Sequence, residues 1–300
     1  MTTELIPVSS RRLDCGTSIG DVVARHAILE RAHVDSDPIT ERTRRIWSAG
    51  DYDRISAGFR HEAEAFVERL GLVPGVRVLD AACGSGNLTI PAARTGAYVT
   101  GLDIVPSLLD AAAAWAARES LAVHLDLGSV EDLPYANATF DVVTSMFGVM
   151  FAARPEHVIA ELARVTRPGG RVVLANWTRE GFVGRMLAKH VAYVAPPPGA
   201  ASPLAWGDES AIRERFDARC WDVRTTRRTL TFRYPHSAAG IAELFRGAYG
   251  PTVRAFEALD EDQRARLAAD LVDHWTKHHR HAFQVTEVDA EYLEVIAIRR

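Results

Sequence analysis

Between Val76 and Trp177 the chain repeats one unit: a strand-length apolar run, a turn, and then a segment of mostly helical pattern. The runs are VRVLDA (76–81), AYVTGLD (97–103), LAVHLDLG (121–128), FDVVTSMF (140–147) and RVVLANW (171–177). Among the segments between them are NLTIPAARTG, closed by Gly96, the alanine-rich PSLLDAAAAWAARES (106–120), and PEHVIAELARVTRPGG (155–170), stopped at Pro168-Gly169-Gly170. Strands this continuously apolar are buried on both faces, which predicts a parallel sheet covered by helices on each side, with right-handed crossovers.

The flanks follow other patterns. Residues 1–19 are polar and mixed, and a helical period runs from Asp21 to Ala32 before Asp37-Pro38 breaks it. Residues 40–50 and 54–70 read as two more helices, the second with Ile55, Phe59, Ala63, Phe66, Val67 and Leu70 on one side. Downstream come a helix over 181–194, a Pro/Gly-rich loop over 195–207, a helix start at Asp208, and a β-branched strand over 223–234. Two helices near 237–248 and 251–275 and a last strand at 287–299 complete the chain. The expected fold is α/β: a Rossmann-like, doubly wound, mostly parallel seven-stranded sheet with an antiparallel C-terminal strand pair. An N-terminal helical extension occupies residues 1–70, and a domain over 71–300 carries helical insertions at 181–220 and 236–280.

Composition limits the partners. With 35 basic and 39 acidic residues the net charge is -4, and basic pairs such as Arg44-Arg45 and Arg227-Arg228 are short. Neither feature provides for a nucleic-acid backbone. Cys15, Cys83 and Cys220 are scattered and odd in number, so no disulfide framework or zinc site is expected. The N-terminus lacks the apolar core of a signal peptide, and no run of about 18 apolar residues would span a membrane. A reducing cytoplasm and no membrane partner are the expectation; the sequence does not choose between a monomer and a homodimer.

The stretch VLDAACGSGNLTI (78–90) lies where a parallel sheet binds ligands, beyond a strand's carboxyl end. Gly84 and Gly86 permit a sharp turn and close approach to the backbone, although a tight turn without a ligand has the same look. Asp103, at the end of the second run, suits the two hydroxyls of a ribose, or else a helix cap before Pro106. Loop and acid together favour a nucleoside-containing cofactor. A dinucleotide loop needs a third glycine, and here Gly84-Ser85-Gly86 is followed by Asn87, Leu88 and Thr89. Asp80 would repel a pyrophosphate and would favour the cationic methionine part of S-adenosylmethionine.

These residues resemble class I S-adenosylmethionine-dependent methyltransferases. More narrowly they are similar to the branch of ubiquinone and menaquinone biosynthesis enzymes and actinobacterial small-molecule methyltransferases. The likeness covers roughly residues 45–180, through VLDAACGSGNLT, VTGLDIVPSLL, GSVEDLP (128–134), FDVVTSMFGVMF and RVTRPGGRVVLANW. Ala82 stands where many members have glycine, and Ser129 where an aspartate commonly meets adenine. The resemblance implies that backbone around Ala82, Gly84 and Gly86 holds the methionine moiety, beside Asp80. It puts Asp103 on the ribose, with Ile104, Ser129 and Val130 along the adenine and Ser145 and Met146 bordering the sulfonium. N-terminal helices close over the cofactor in this family, which makes SAGDY, with Trp47 and Tyr52, a lid or else an ordinary helix connection. The product would be S-adenosylhomocysteine.

The acceptor is read by exclusion. The fourth strand is followed by Ser145-Met146-Phe147-Gly148, not the [DNS]-P-P-[YFW] of amino-methylating nucleic-acid enzymes, and no cysteine follows a proline. Ser145 and Asn176 stand where metal-dependent catechol-type enzymes carry acids, so no metal is expected. An apolar lip of Met146, Phe147, Met150, Phe151, Trp177 and Trp206 suits a small aromatic or lipophilic acceptor, although such residues also build cores. The hydroxyl oxygen of an aromatic natural product or quinone-like compound is the expected target, with N- and C-methylation left open. No catalytic residue is identified; His61 and His190 are only weak candidate bases, since a histidine in either place is more often a packing or surface residue. His274, His278, His279 and His281 sit in a tail helix, remote from the site, without a carboxylate pattern. A nicotinamide-dependent oxidoreductase and a non-catalytic S-adenosylmethionine-binding protein are the rival readings.

Overall fold

The five apolar runs form parallel strands in the computed structural model, which describes residues 37–197, 200–280 and 285–300. They are β1 (Arg77–Ala81), β2 (Tyr98–Asp103), β3 (His124–Leu127), β4 (Phe140–Met146) and β5 (Thr166–Trp177). The long antiparallel strands β6 (Trp221–Tyr234) and β7 (Thr286–Arg299) complete a seven-stranded sheet of order β3-β2-β1-β4-β5-β7-β6. Strand order reverses between β1 and β4, which opens a crevice beyond their carboxyl ends. In the ladder Asp80 faces Gly101 on one side and Thr144 on the other, so the β1 acid sits at the centre of the sheet.

Helices cover the sheet. Before β1 come α1 (Pro38–Trp47), the short α2 (Tyr52–Ser56), and α3 (Arg60–Leu70), the last two joined by a 3-10 turn. The crossovers carry α4 (Thr89–Arg94), α5 (Pro106–Arg118) and α6 (Pro155–Val165). After β5 come α7 (Phe182–Tyr193) and α8 (Glu209–Arg215), then, between β6 and β7, α9 (Ala238–Ala248), α10 (Gly250–Ala258) and α11 (Glu261–His278). The helical period of residues 21–32, Cys15 and His281 lie outside the described residues.

Several boundaries differ from the sequence pattern for identifiable reasons. Asp37-Pro38 starts a helix: the Asp37 carboxylate accepts the N–H groups of Ile39 and Thr40, and Pro38 stands where no N–H donor is needed. The helix before β5 ends at Val165, because Pro168 cannot donate and drives its predecessor toward extended backbone. Thr166 pairs with Phe140, residues 167–170 bulge, and the ladder resumes at Arg171 and Val142. The third strand begins only at His124. Beyond β6 the described residues form three helices, not two, because Pro251 opens α10 and Asp260 opens α11 with a reciprocal Asp260–Gln263 capping box.

Candidate functional site

The β1–α4 turn is built from unusual backbone. Ala82, Gly84 and Gly86 have φ of 59°, 54° and 91°, the left-handed region that glycine adopts without penalty. A β-carbon added at Gly84 would meet nothing closer than Tyr52 Cδ1 at 3.9 Å, so the loop's inner side is an open cradle. Ala82 and, after β4, Phe147 (φ 60°) hold this conformation with side chains present, so both strand ends store strain beside the same crevice.

Two buried acids flank the cradle. Asp103 Oδ2 accepts the Gly84 N–H at 2.8 Å and Oδ1 accepts the Val105 N–H at 2.9 Å. It therefore ties the loop to β2 and turns the chain toward α5, serving the capping role and leaving lone pairs toward the cavity. Asp80 Oδ2 accepts the Thr89 hydroxyl at 2.7 Å. Burial pushes the Asp80 carboxyl up to about 7, with the Asp103 charge adding to it, and burial alone pushes Asp103 up to about 6. A cation placed beside them would reverse these shifts. Cys83, buried on the same turn, has its thiol pushed up by burial and by both acids, so it is no nucleophile.

One cavity joins these groups. Asp80, Ala82, Gly84, Asp103, Ile104, Ser129 and Val130, all expected at the cofactor, line it, as do Trp47 and Tyr52 from the SAGDY region and Met146, Phe147 and Phe151 from the expected acceptor lip. Trp47 packs edge-on against Phe151 at 4.8 Å and Tyr52 at 5.5 Å, making an aromatic rim. Ser129 Oγ accepts the Glu131 N–H, which shapes the turn after β3.

Other expected residues stand elsewhere. Gly86 and Ser145 do not line the cavity: Gly86 lets α5 approach, since an added β-carbon would lie 3.2 Å from Ala112 Cβ, and Ser145 Oγ accepts the Val149 N–H. Met150, Trp177 and Trp206 are core residues, each less than 5% exposed, because the turn after β4 points Met150 inward as Phe151 faces the cavity. Trp177 acts from behind, stacked on Phe147 at 3.5 Å. The candidate bases are also absent from the cavity. His61 sits on exposed α3 beside Arg233 and Glu62. His190 is buried between the Met186 carbonyl and the Thr252 hydroxyl, each at 2.9 Å, and burial lowers its pKa to about 4. His274 stacks on Phe182 and contacts its carbonyl, and no group of three or more His, Cys, Asp or Glu arranged for a metal occurs among the described residues.

The sequence pattern missed further residues that line the cavity. Thr40 and Thr43 come from α1, Phe59 from the 3-10 turn, and Glu131 from the GSVEDLP turn. Glu131 was already inside a quoted motif, whereas Thr40 and Thr43 sit on a polar helix whose only buried residue is Thr40, so no apolar period pointed them at the cavity.

The residues present fit S-adenosylmethionine. Two buried acids await hydroxyls and a cation, Ile104, Leu108 and Val130 offer apolar surface for a base, and the Gly84 backbone is approachable. Comparison with known proteins agrees. A family described as a methyltransferase domain matches residues 79–174. An uncharacterized protein of Mycobacterium tuberculosis, Rv1405c, is 37% identical over 254 residues, 83% of this chain and 88% of its own. Demethylmenaquinone methyltransferase of Deinococcus radiodurans is 30% identical over 249 residues, 77% of this chain and 95% of its own. Among solved structures, the YcgJ protein from Bacillus subtilis superposes with a TM-score of 0.55 at 16% identity, covering 80% of this chain and 99% of that one, a likeness of fold.

Proposed function

The chain belongs to the class I S-adenosylmethionine-dependent methyltransferases, and from that premise we propose that the small molecule it methylates is an aromatic natural product or quinone-like compound, accepting at a hydroxyl oxygen. The observation that carries this reading is the aromatic wall of Trp47, Phe59, Phe147 and Phe151, with Met146, set directly against the cradle at the β1 and β4 ends. Such a wall favours a flat apolar acceptor over a charged or polymeric one. The relation to a demethylmenaquinone methyltransferase supports a quinone-like shape.

The bound cofactor supplies a methyl group on a sulfonium, whose departure leaves a neutral thioether. The protein's part is to hold, align and dry. Asp103 would take the ribose hydroxyls and Asp80 the cationic methionine end, while Ile104 and Val130 would flank the adenine. The aromatic rim would stack the acceptor and exclude water. The N-terminal extension through Leu70 then serves as the lid, and residues 71–300 as the methyltransferase domain. His61 and His190, away from the cavity, take no part.

The test is transfer of labelled methyl from S-adenosylmethionine to a panel of phenols, hydroquinones, amines and polar alcohols. The proposal expects product with the phenolic and quinone-like members and a loss of at least about tenfold in kcat/KM for Phe151→Ala. Transfer confined to amines or polar alcohols would refute the acceptor assignment and leave the cofactor reading standing.

A further inference from the structure

The cavity's two sides are joined by one guanidinium. Arg154, just before α6, donates its backbone N–H to Glu131 Oε1 at 2.9 Å and its Nε–H to Glu131 Oε2 at 2.5 Å. Its Nη2 donates to Asp37 Oδ2 at 2.6 Å and to Thr40 Oγ1 at 3.2 Å. Glu131 belongs to the turn that carries Ser129 and Val130 along the cofactor side, and its carboxylate is almost fully buried. Asp37 and Thr40 form the first turn of α1, the helix that supplies Thr40, Thr43 and Trp47 to the opposite wall.

The other end of α1 is fixed differently. The Asp51 N–H donates to the Ala248 carbonyl at 2.9 Å, and Arg254 donates to the Arg45 carbonyl at 3.0 Å. Gly250 packs so close that a β-carbon there would lie 2.2 Å from the Ile46 carbonyl oxygen. Between its ends α1 buries only Thr40, which is itself bound to Arg154. A helix with so little buried surface opens at low cost once its polar tie is released. Its C-terminal end is thus held by backbone contacts and its N-terminal end by the Arg154 guanidinium.

We propose that Arg154 is a positioning residue that latches α1 shut in response to cofactor binding, so that filling the adenine side of the cavity completes the acceptor wall. A ligand that orders the Ser129–Glu131 turn orders Arg154 through two hydrogen bonds, and Arg154 then holds Asp37 and Thr40. The acceptor thus meets a finished pocket only after the cofactor is seated. This rests on the cofactor reading above.

Amide hydrogen exchange with and without saturating S-adenosylhomocysteine, on wild type, Arg154→Met and Asp37→Asn, tests the latch without knowledge of the acceptor. Asp37→Asn keeps a good helix cap and the Arg154–Glu131 pair intact, removing only the charge of the α1 arm. In wild type the ligand slows exchange both at residues 84–86 and along α1. In either variant residues 84–86 stay protected, while α1 in the complex exchanges roughly tenfold faster than in wild type. Equal protection of α1 in both variants overturns the latch, as does a wild type whose glycine loop responds and whose α1 does not. Absence of protection everywhere in folded wild type removes the cofactor reading and the latch together. If Arg154→Met does not fold, Asp37→Asn alone decides.

Discussion

Asp80 and Asp103 end neighbouring strands with their carboxyls pushed to about 7 and about 6. For an acid, a folded pKa above the unfolded value means that the unfolded chain ionises first. The unliganded protein therefore loses stability from these groups as pH rises from about 4 toward 7. Binding runs the other way. Below pH 7 a ligand whose ammonium group meets Asp80 must displace the Asp80 proton, so affinity falls on acidification. The dissociation constant for S-adenosylhomocysteine should rise about tenfold from pH 8 to pH 6, with proton release visible as a buffer-dependent heat; a flat profile would show that Asp80 does not meet the ligand's charge. Gly84 supplies a second test. Its φ of 54° makes Gly84→Ala cost about 1–2 kcal/mol, yet its added carbon touches no protein atom within 3.9 Å. The variant should fold and fail to bind, and binding at wild-type strength would place the ligand's closest approach elsewhere.

At the scale of elements, the cavity depends on what lies behind it. Phe147, held at φ 60°, presents one ring face to Trp177 and an edge to Tyr292 and Phe59. Trp177→Ala empties that support and should lower stability by about 3–5 kcal/mol in denaturant titration. Loss below 1 kcal/mol would mean that the stack contributes little. A clamp ties β7 to α3 and β6: Glu294, buried on β7, meets Arg69 of α3 at 3.0 Å and Arg228 of β6 at 2.8 Å. Replacing both arginines by methionine leaves that carboxylate buried without a counter-charge and should cost about 3 kcal/mol or more. An unchanged denaturation midpoint would show that water reaches Glu294.

Across the whole molecule, the sequence was informative where burial imposes a period. The central parallel strands are apolar on both faces and the C-terminal pair is rich in β-branched residues, so all seven were visible, and the glycine turn with its two acids was readable because few side chains tolerate that backbone. Three kinds of feature were not visible. Residues of one turn diverge when its geometry is unknown, so Met150 and Phe151, adjacent in sequence, face core and cavity respectively. The helix α1 was readable as a helix, but its polar Thr40 and Thr43 carry no signature of a cavity lining, and Arg154, which binds Asp37, lies more than a hundred residues away. Histidines in an apolar context, such as His190, read alike whether they pack or react, and here the Met186 carbonyl and the Thr252 hydroxyl occupy both ring nitrogens. No helix among the described residues is long and apolar enough to cross a membrane.

The cradle between Asp80, Gly84 and Asp103 is the centre of the site. Calorimetric titration of S-adenosylhomocysteine into wild type and Asp103→Ala tests it most directly. Saturable one-site binding to wild type that is lost in the folded variant is the predicted result. No binding to folded wild type, or equal binding to both proteins, would contradict it.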